Sequence, residues 1–184
     1  MAIATGPSAA APSPMASDAA ERAAVLVLSR DLLASDSATE VLRRECAEDH
    51  LASPPAIRAV RIGGPEEQAS AEVRARLGAA PGQTVAYRHV RLMCGGHIMS
   101  DADNWYLPRR LTAAMNRALD QTQVPFGVAV RPLGFHRRTI GVETPSNGKS
   151  PLIHRAILVD AAGTPFSYVV ERYTREALAL TPRR

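Results

Sequence analysis

The chain has 184 residues, a formal net charge of +4 and 46% hydrophobic residues, which suits one domain with its own core. Arginine carries the positive charge, Lys149 being the only lysine, and pairs such as Arg109-Arg110 and Arg137-Arg138 stand apart instead of forming the basic stripe of a nucleic-acid-binding protein. No apolar run is long enough to span a bilayer.

Residues 1–17 are mostly Ala, Pro and Ser and read as a disordered leader ahead of one domain over 18–184. The leader lacks the basic and apolar regions of a secretory signal, so a cytoplasmic location is expected, with an exported form whose leader has been removed as the alternative. Over 18–33, Ala20, Ala23, Ala24, Val27, Leu28 and Leu32 share one helical face. Asp36-Ser37 interrupts, and either residue can cap a second helix carrying Val41, Leu42 and Cys46, with Glu40 in its first turn. Cys46 and Cys94 make neither a metal site nor a disulfide framework. They read as buried apolar side chains, and a single bond between them stays open.

Pro54-Pro55 ends the second helix, and residues 57–62 alternate apolar side chains with arginine like an edge strand. Ser70 caps a short helix, Ala71–Leu77, that Gly78 ends. Residues 84–107 fold back at Gly95-Gly96 as a β-hairpin. A helix is expected over 111–119, and Pro125 and Gly127 bracket a tight corner. Strands follow over 135–142, Leu152–Val159 and Pro165–Tyr173, with a polar loop over 144–151. The sum is α+β: a single antiparallel sheet of about six strands, with helices and helix-turn flaps on one face. A cavity between such layers suits a small ligand.

On the strand over 84–94 the even positions, Thr84, Ala86, Arg88, Val90, Leu92 and Cys94, are more uniformly apolar than the odd ones. Arg88 therefore points into the buried face. A guanidinium there keeps its charge and needs an anion, which is an internal carboxylate or a ligand's. Glu171, in a last strand of mostly apolar residues, is its natural opposite number. It can bond a ligand hydroxyl, act as an acid–base group, or neutralise Arg88. Asn104 heads Asn-Trp-Tyr-Leu-Pro, where Trp105 and Tyr106 take opposite faces. The corners at Ser37-Ala38 and Phe126-Gly127 lie near helix starts, whose N–H groups bind anionic oxygens. His136-Arg137-Arg138 and His154-Arg155 form either a solvated face or a positive rim that draws in an anion. The five histidines lack metal-site spacing. No nucleophile elbow, phosphate loop or dinucleotide fingerprint is present, so neither metal nor cofactor is expected.

The order of Leu-Leu-x-x-Asp-Ser-Ala-Thr, the arginine strand ending Cys94-Gly95, Tyr106-Leu107-Pro108, Pro125-Phe126-Gly127 and the closing Gly-x-Pro hairpin with Glu171 resembles the chorismate lyase family over residues 30–174. The resemblance implies a cofactor-free enzyme that splits chorismate into 4-hydroxybenzoate and pyruvate. It implies Arg88 holding a carboxylate, Ala38 and Phe126 donating backbone N–H groups, and Glu171 facing the ring hydroxyl. Counting back from Pro108 favours His89 for the arginine role and strand parity favours Arg88, which is preferred because an imidazole poorly replaces a guanidinium clamp. Asn104 stands where that family has a strand arginine. Asn104, His89, Arg91, Arg138 and Arg155 complete the expected binding set for an aromatic or cyclohexadiene carboxylate. A similar fold serves as effector domain in GntR-type regulators, so a non-catalytic sensor or carrier is the alternative. Those regulators carry a DNA-binding domain ahead of the sensor that residues 1–17 do not supply. Neither nucleic acid nor membrane is an expected partner.

Overall fold

In the computed structural model, which describes residues 14–146 and 148–178, six strands make one antiparallel sheet. They are β1 (Ile57–Arg61), β2 (Ala86–Cys94), β3 (His97–Tyr106), β4 (His136–Glu143), β5 (Leu152–Val159) and β6 (Pro165–Tyr173), in the order β1-β2-β3-β6-β5-β4. Three hairpins account for most of that order. The β2–β3 turn uses Gly95 at a φ of 55°, and a Cβ there would lie 3.1 Å from that of Ala52. At the β5–β6 turn, Asp160 Oδ1 accepts from the N–H groups of Ala162 and Thr164, a local Asx-type closure that sets the register.

The helices are α1 (Pro14–Leu33), α2 (Ala38–Glu48), α3 (Ala71–Leu77), α4 (Ala113–Gln121) and α5 (Phe126–Ala129). Ser37 caps α2 by accepting from Glu40 N–H. Ser70 caps α3, and Gly78 ends it in the left-handed region. The expected α+β architecture is borne out, and the helical layer lies mainly on one face. There α1 and α2 pack Leu28, Leu32, Leu42 and Cys46 against Val90 and Leu92. Beside them α4 packs Met115 and Leu119 with Tyr106 and Phe166. The short α3 covers the reverse face, where Val73 and Leu77 meet Trp105, Tyr168 and Val170. Each such fully buried side chain contributes about 1.5–3 kcal/mol.

The corner read at Pro125 is the start of α5, a single turn of helix. Of the two readings of the cysteines, the bond is formed: Cys46 and Cys94, 48 residues apart with Cα atoms 6.0 Å apart, tie α2 to the end of β2. The expected leader lies outside the described residues up to residue 13, and α1 already begins at Pro14. No described helix is long and apolar enough to cross a membrane.

Candidate functional site

The two hydrophobic clusters on the helical face meet along a seam, and a cavity of about 50 Å³ lies in it, room for a few water molecules. Its floor is Arg88, Val90 and Leu92 of β2, Asn104 of β3, and Val169 and Glu171 of β6. Its roof is the α2 corner, Ser37 to Thr39, and the α5 corner, Phe126-Gly127. Strand alternation places the floor: Arg88 pairs in register with Asn104 and, beyond it, Val169. Val90 is followed in the same way by Ala102 and Glu171. Arg88 and Glu171 thus sit two strands and one two-residue step apart, about 12 Å between backbones at ordinary sheet spacings.

Arg88 is 2% exposed. Its Nη2 donates to Val124 O at 3.2 Å, while Nε and Nη1 are buried without a partner among the described residues. Burial, and then the nearby Arg61, lower its pKa, with Tyr106 and Asp120 pulling the other way; an arginine nonetheless stays charged. The choice between Arg88 and His89 is therefore answered for placement: Arg88 lines the chamber. His89 points to the reverse face, 2.7 Å from Asp101.

Glu171 does not neutralise Arg88. Its Oε2 accepts from Arg137 Nη2 at 2.5 Å and from Tyr173 Oη at 2.8 Å. The Arg137 and Glu171 side chains are only 3% and 8% exposed. Burial works against the Arg137 charge, but the Glu171 carboxylate and Tyr173 outweigh it and hold its pKa above the ordinary value. Burial, then Glu171, push the Tyr173 phenol well up. Sequence reasoning named Arg137 only as one of a basic pair. The available signal was alternation, which turns Phe135 and Arg137 inward and Arg138 outward.

His154, fully buried, is bonded through Nε2 to Ser29 Oγ of α1 at 3.1 Å. Burial, and then Arg137, push its pKa down to about 4, so it is neutral at pH 7. Asn104 is buried, and its Oδ1 accepts from the Ser167 hydroxyl at 2.7 Å. Ala38 and Phe126 line the roof as expected, Ala38 in the first turn of α2, where helix N–H groups lack intrahelical partners. Phe126 is wedged against Tyr106, with ring centroids 5.2 Å apart.

The rest of the expected binding set lies elsewhere. Arg91 faces Asp101 at 3.3 Å on the reverse face, Arg155 pairs with Glu143, and Arg138 is exposed on the edge strand. Alternation turns all three away from the chamber, so they form no rim over it. The rim is instead a latch. Asp36 Oδ1 accepts from Arg137 N–H at 2.8 Å and its Oδ2 lies 3.1 Å from His136 Nδ1. That backbone bond, with His136, lowers the Asp36 pKa. Arg131, just past α5, pairs with Glu40 of α2 at 3.1 Å.

No family model matches the chain. An uncharacterized protein of Sinorhizobium fredii, y4mC, is 40% identical over 183 residues, covering 86% of this chain and 77% of that protein. Among solved structures, PhnF from Mycobacterium smegmatis matches with a TM-score of 0.52 at 12% identity, over 67% of this chain and 60% of PhnF. The chain thus spans about three fifths of the length of PhnF, and the likeness is one of fold. A GntR-family transcriptional regulator from Enterococcus faecalis gives a TM-score of 0.48 at 11% identity, over 70% of this chain and 100% of that one.

Proposed function

The chain belongs to the same family as y4mC of Sinorhizobium fredii, and we propose that it encloses one small carboxylic acid, aromatic or cyclohexadiene in type, over Arg88. The observation that carries this reading is the pair of unpartnered nitrogens on a buried guanidinium. An uncompensated buried charge is costly, and a ligand carboxylate in hydrogen-bond reach returns that cost as binding energy. The first turn of α2 adds N–H groups and the positive end of a helix dipole. Val90, Leu92, Phe135 and Leu158 offer apolar walls to a ring. In this reading the protein is a carrier or sensor. Thermal-shift titration with 4-hydroxybenzoate and benzoate should raise the melting temperature, with benzyl alcohol, which lacks the acid group, inert. A folded sample that ignores both acids removes the reading.

A second reading, elimination of pyruvate from chorismate, is favoured by one observation: Arg137 supplies a second buried cation beside Glu171. In that reaction the ring loses a proton, and the ring carbon–oxygen bond breaks with its electron pair leaving on enolpyruvate. Enolpyruvate takes up a proton and becomes pyruvate, so no redox or cofactor step is needed. Positioned cations would stabilise the departing charge. Against it, Glu171 is already engaged by two donors. Incubation with chorismate decides: 4-hydroxybenzoate and pyruvate in equal amounts establish the lyase, and binding without product leaves the carrier.

A further inference from the structure

The two edges of the sheet are finished differently. Along β1 lies the segment between α4 and α5, Gln123 O accepting from Ala59 N–H at 2.7 Å. At β4, the last strand in the order, Asp36 Oδ1 takes the outward N–H of Arg137. From Arg138 to Glu143 no backbone bond runs outward among the described residues. An open strand edge is a template for another strand. The same flank carries apolar surface. Among the described residues, the large apolar side chains left exposed are Met15, Leu26 and Leu33 of α1 and Val142 of β4. Leu26 lines a cleft with Thr144 and Pro145, just past β4, and Leu33 follows two helical turns later on the same side of α1. Exposed apolar residues gathered on one flank mark a contact surface.

We propose that this flank joins a second copy of the chain, β4 pairing antiparallel with the partner's β4 about a two-fold axis between Ile140 and Gly141. Charge and register select that occupant. In this alignment Arg138 falls opposite the partner's Glu143, Thr139 opposite the partner's Val142 and Ile140 opposite the partner's Gly141, each pair occurring twice by symmetry. A bulge makes the alignment work. The β4–β5 register shifts between Thr139 and Gly141, so Arg138 and Glu143, paired with Ile157 and Ile153, share the reverse face of the sheet. Thr139 and Val142, paired with Ala156 and His154, share the helical face. Without the extra residue, positions 138 and 143 would face opposite ways and could not meet. A bulge usually blunts a strand edge; here it lies on the axis and meets its own copy. Arg138 is exposed and in no ion pair among the described residues. Glu143 is half exposed and pairs with Arg155 on the neighbouring strand, which leaves its outer side for the partner. Parallel pairing would instead set Arg138 beside the partner's Arg138, like charge against like. On the helical face, Leu26 and Leu33 flank the junction beside Val142, and the two α1 helices close over it.

One short strand pair and one helix pair make a small interface, so association in the micromolar range is expected. Sedimentation equilibrium measures it, on the wild-type chain and on two charge-reversed chains, Arg138→Glu and Glu143→Arg. Each reversed chain alone sets like charges opposite one another twice and should dimerise at least about tenfold more weakly. Mixed in equal amounts, the two should associate as the wild type does, because every contact in the mixed pair again joins opposite charges. Both side chains reach solvent, so the variants keep the fold. Hydrogen exchange on the wild-type chain gives a check that needs no variant: amides over 138–143 should exchange more slowly in concentrated than in dilute protein. A wild-type chain that stays monomeric at about 1 mM overturns the proposal. So does a dimer indifferent to both reversals, or a pair of reversed chains whose mixture stays apart. Each of these results leaves the reading of the Arg88 chamber as it was.

Discussion

Arg88→Met separates what the arginine costs the empty protein from what it contributes to the bound one. The side chain is 2% exposed and two of its three nitrogens lack partners. Methionine keeps an unbranched chain of similar shape without the charge. Unsatisfied buried donors cost roughly 1–3 kcal/mol each, and replacing buried charges by apolar groups has stabilised other proteins by about 1–4 kcal/mol. Against this stands one lost bond, from Nη2 to Val124 O at 3.2 Å, at about 1.5–3 kcal/mol for a charged donor. The empty variant should come out more stable by about 1–2 kcal/mol, a rise of roughly 2–8 °C in melting temperature for a domain of this size. The bound state should suffer the opposite change. Truncating one partner of a buried, hydrogen-bonded charge pair costs about 2–5 kcal/mol, or roughly 30-fold to several-thousand-fold in affinity. At a ligand concentration of about 100 times the wild-type dissociation constant, wild-type protein gains about 2.7 kcal/mol of stability, and the variant should gain no more than about 0.9 kcal/mol. Differential scanning calorimetry of both proteins, with and without 4-hydroxybenzoate, reads both halves. An Arg88→Met protein that is less stable when empty, yet still shifts with the ligand, would refute the reasoning.

Three further outcomes follow from the same structure. His154 titrates near 6.5 when unfolded and near 4 when folded, so the unfolded chain takes up the extra proton between those values. Its stabilising contribution is complete above about pH 6.5 and is lost as pH falls toward 4. About 3 kcal/mol should disappear over that window, and denaturant melts of His154→Gln should show a flatter acid limb. Replacing both Cys46 and Cys94 by alanine reopens a loop of 48 residues, which by chain entropy costs about 4 kcal/mol. Thiol titration of native protein should detect no free cysteine, and two titratable thiols would refute the bond. Asp36→Ala removes the acceptor of the Arg137 N–H at the chamber mouth. Because Asp36 is half exposed, the loss should be no more than about 1 kcal/mol, read as ligand release roughly fivefold faster in stopped-flow. An unchanged release rate would show that this corner does not gate the chamber.

Alternation along a strand made much of the site legible. The even face of β2 reads as apolar with one arginine in it, and Arg88 lies there, buried. The caps were equally readable, since Ser37, Ser70 and Gly78 act through local hydrogen bonds and local dihedrals. The partner of Glu171 was not. With β6 at the middle of the order β1-β2-β3-β6-β5-β4, the strands bearing Arg88 and Arg137 each stand two places away from it. In register Arg88 falls opposite Val169 and Arg137 opposite Ser167, one and two two-residue steps from Glu171, so sheet spacing alone favours the wrong arginine. The choice is made by where each guanidinium leans: Arg88 turns to the Val124 carbonyl before α5, and Arg137 crosses toward Glu171. The supposed rim failed for the converse reason. Arg91 is an odd residue on a strand whose even residues face the chamber, so the rule that buried Arg88 also excludes Arg91. Parity is a property of one segment and can be read from its residues. Which of two charges closes an ion pair depends on segments far away in the chain, and the chamber's free positive charge exists because that competition went to Arg137.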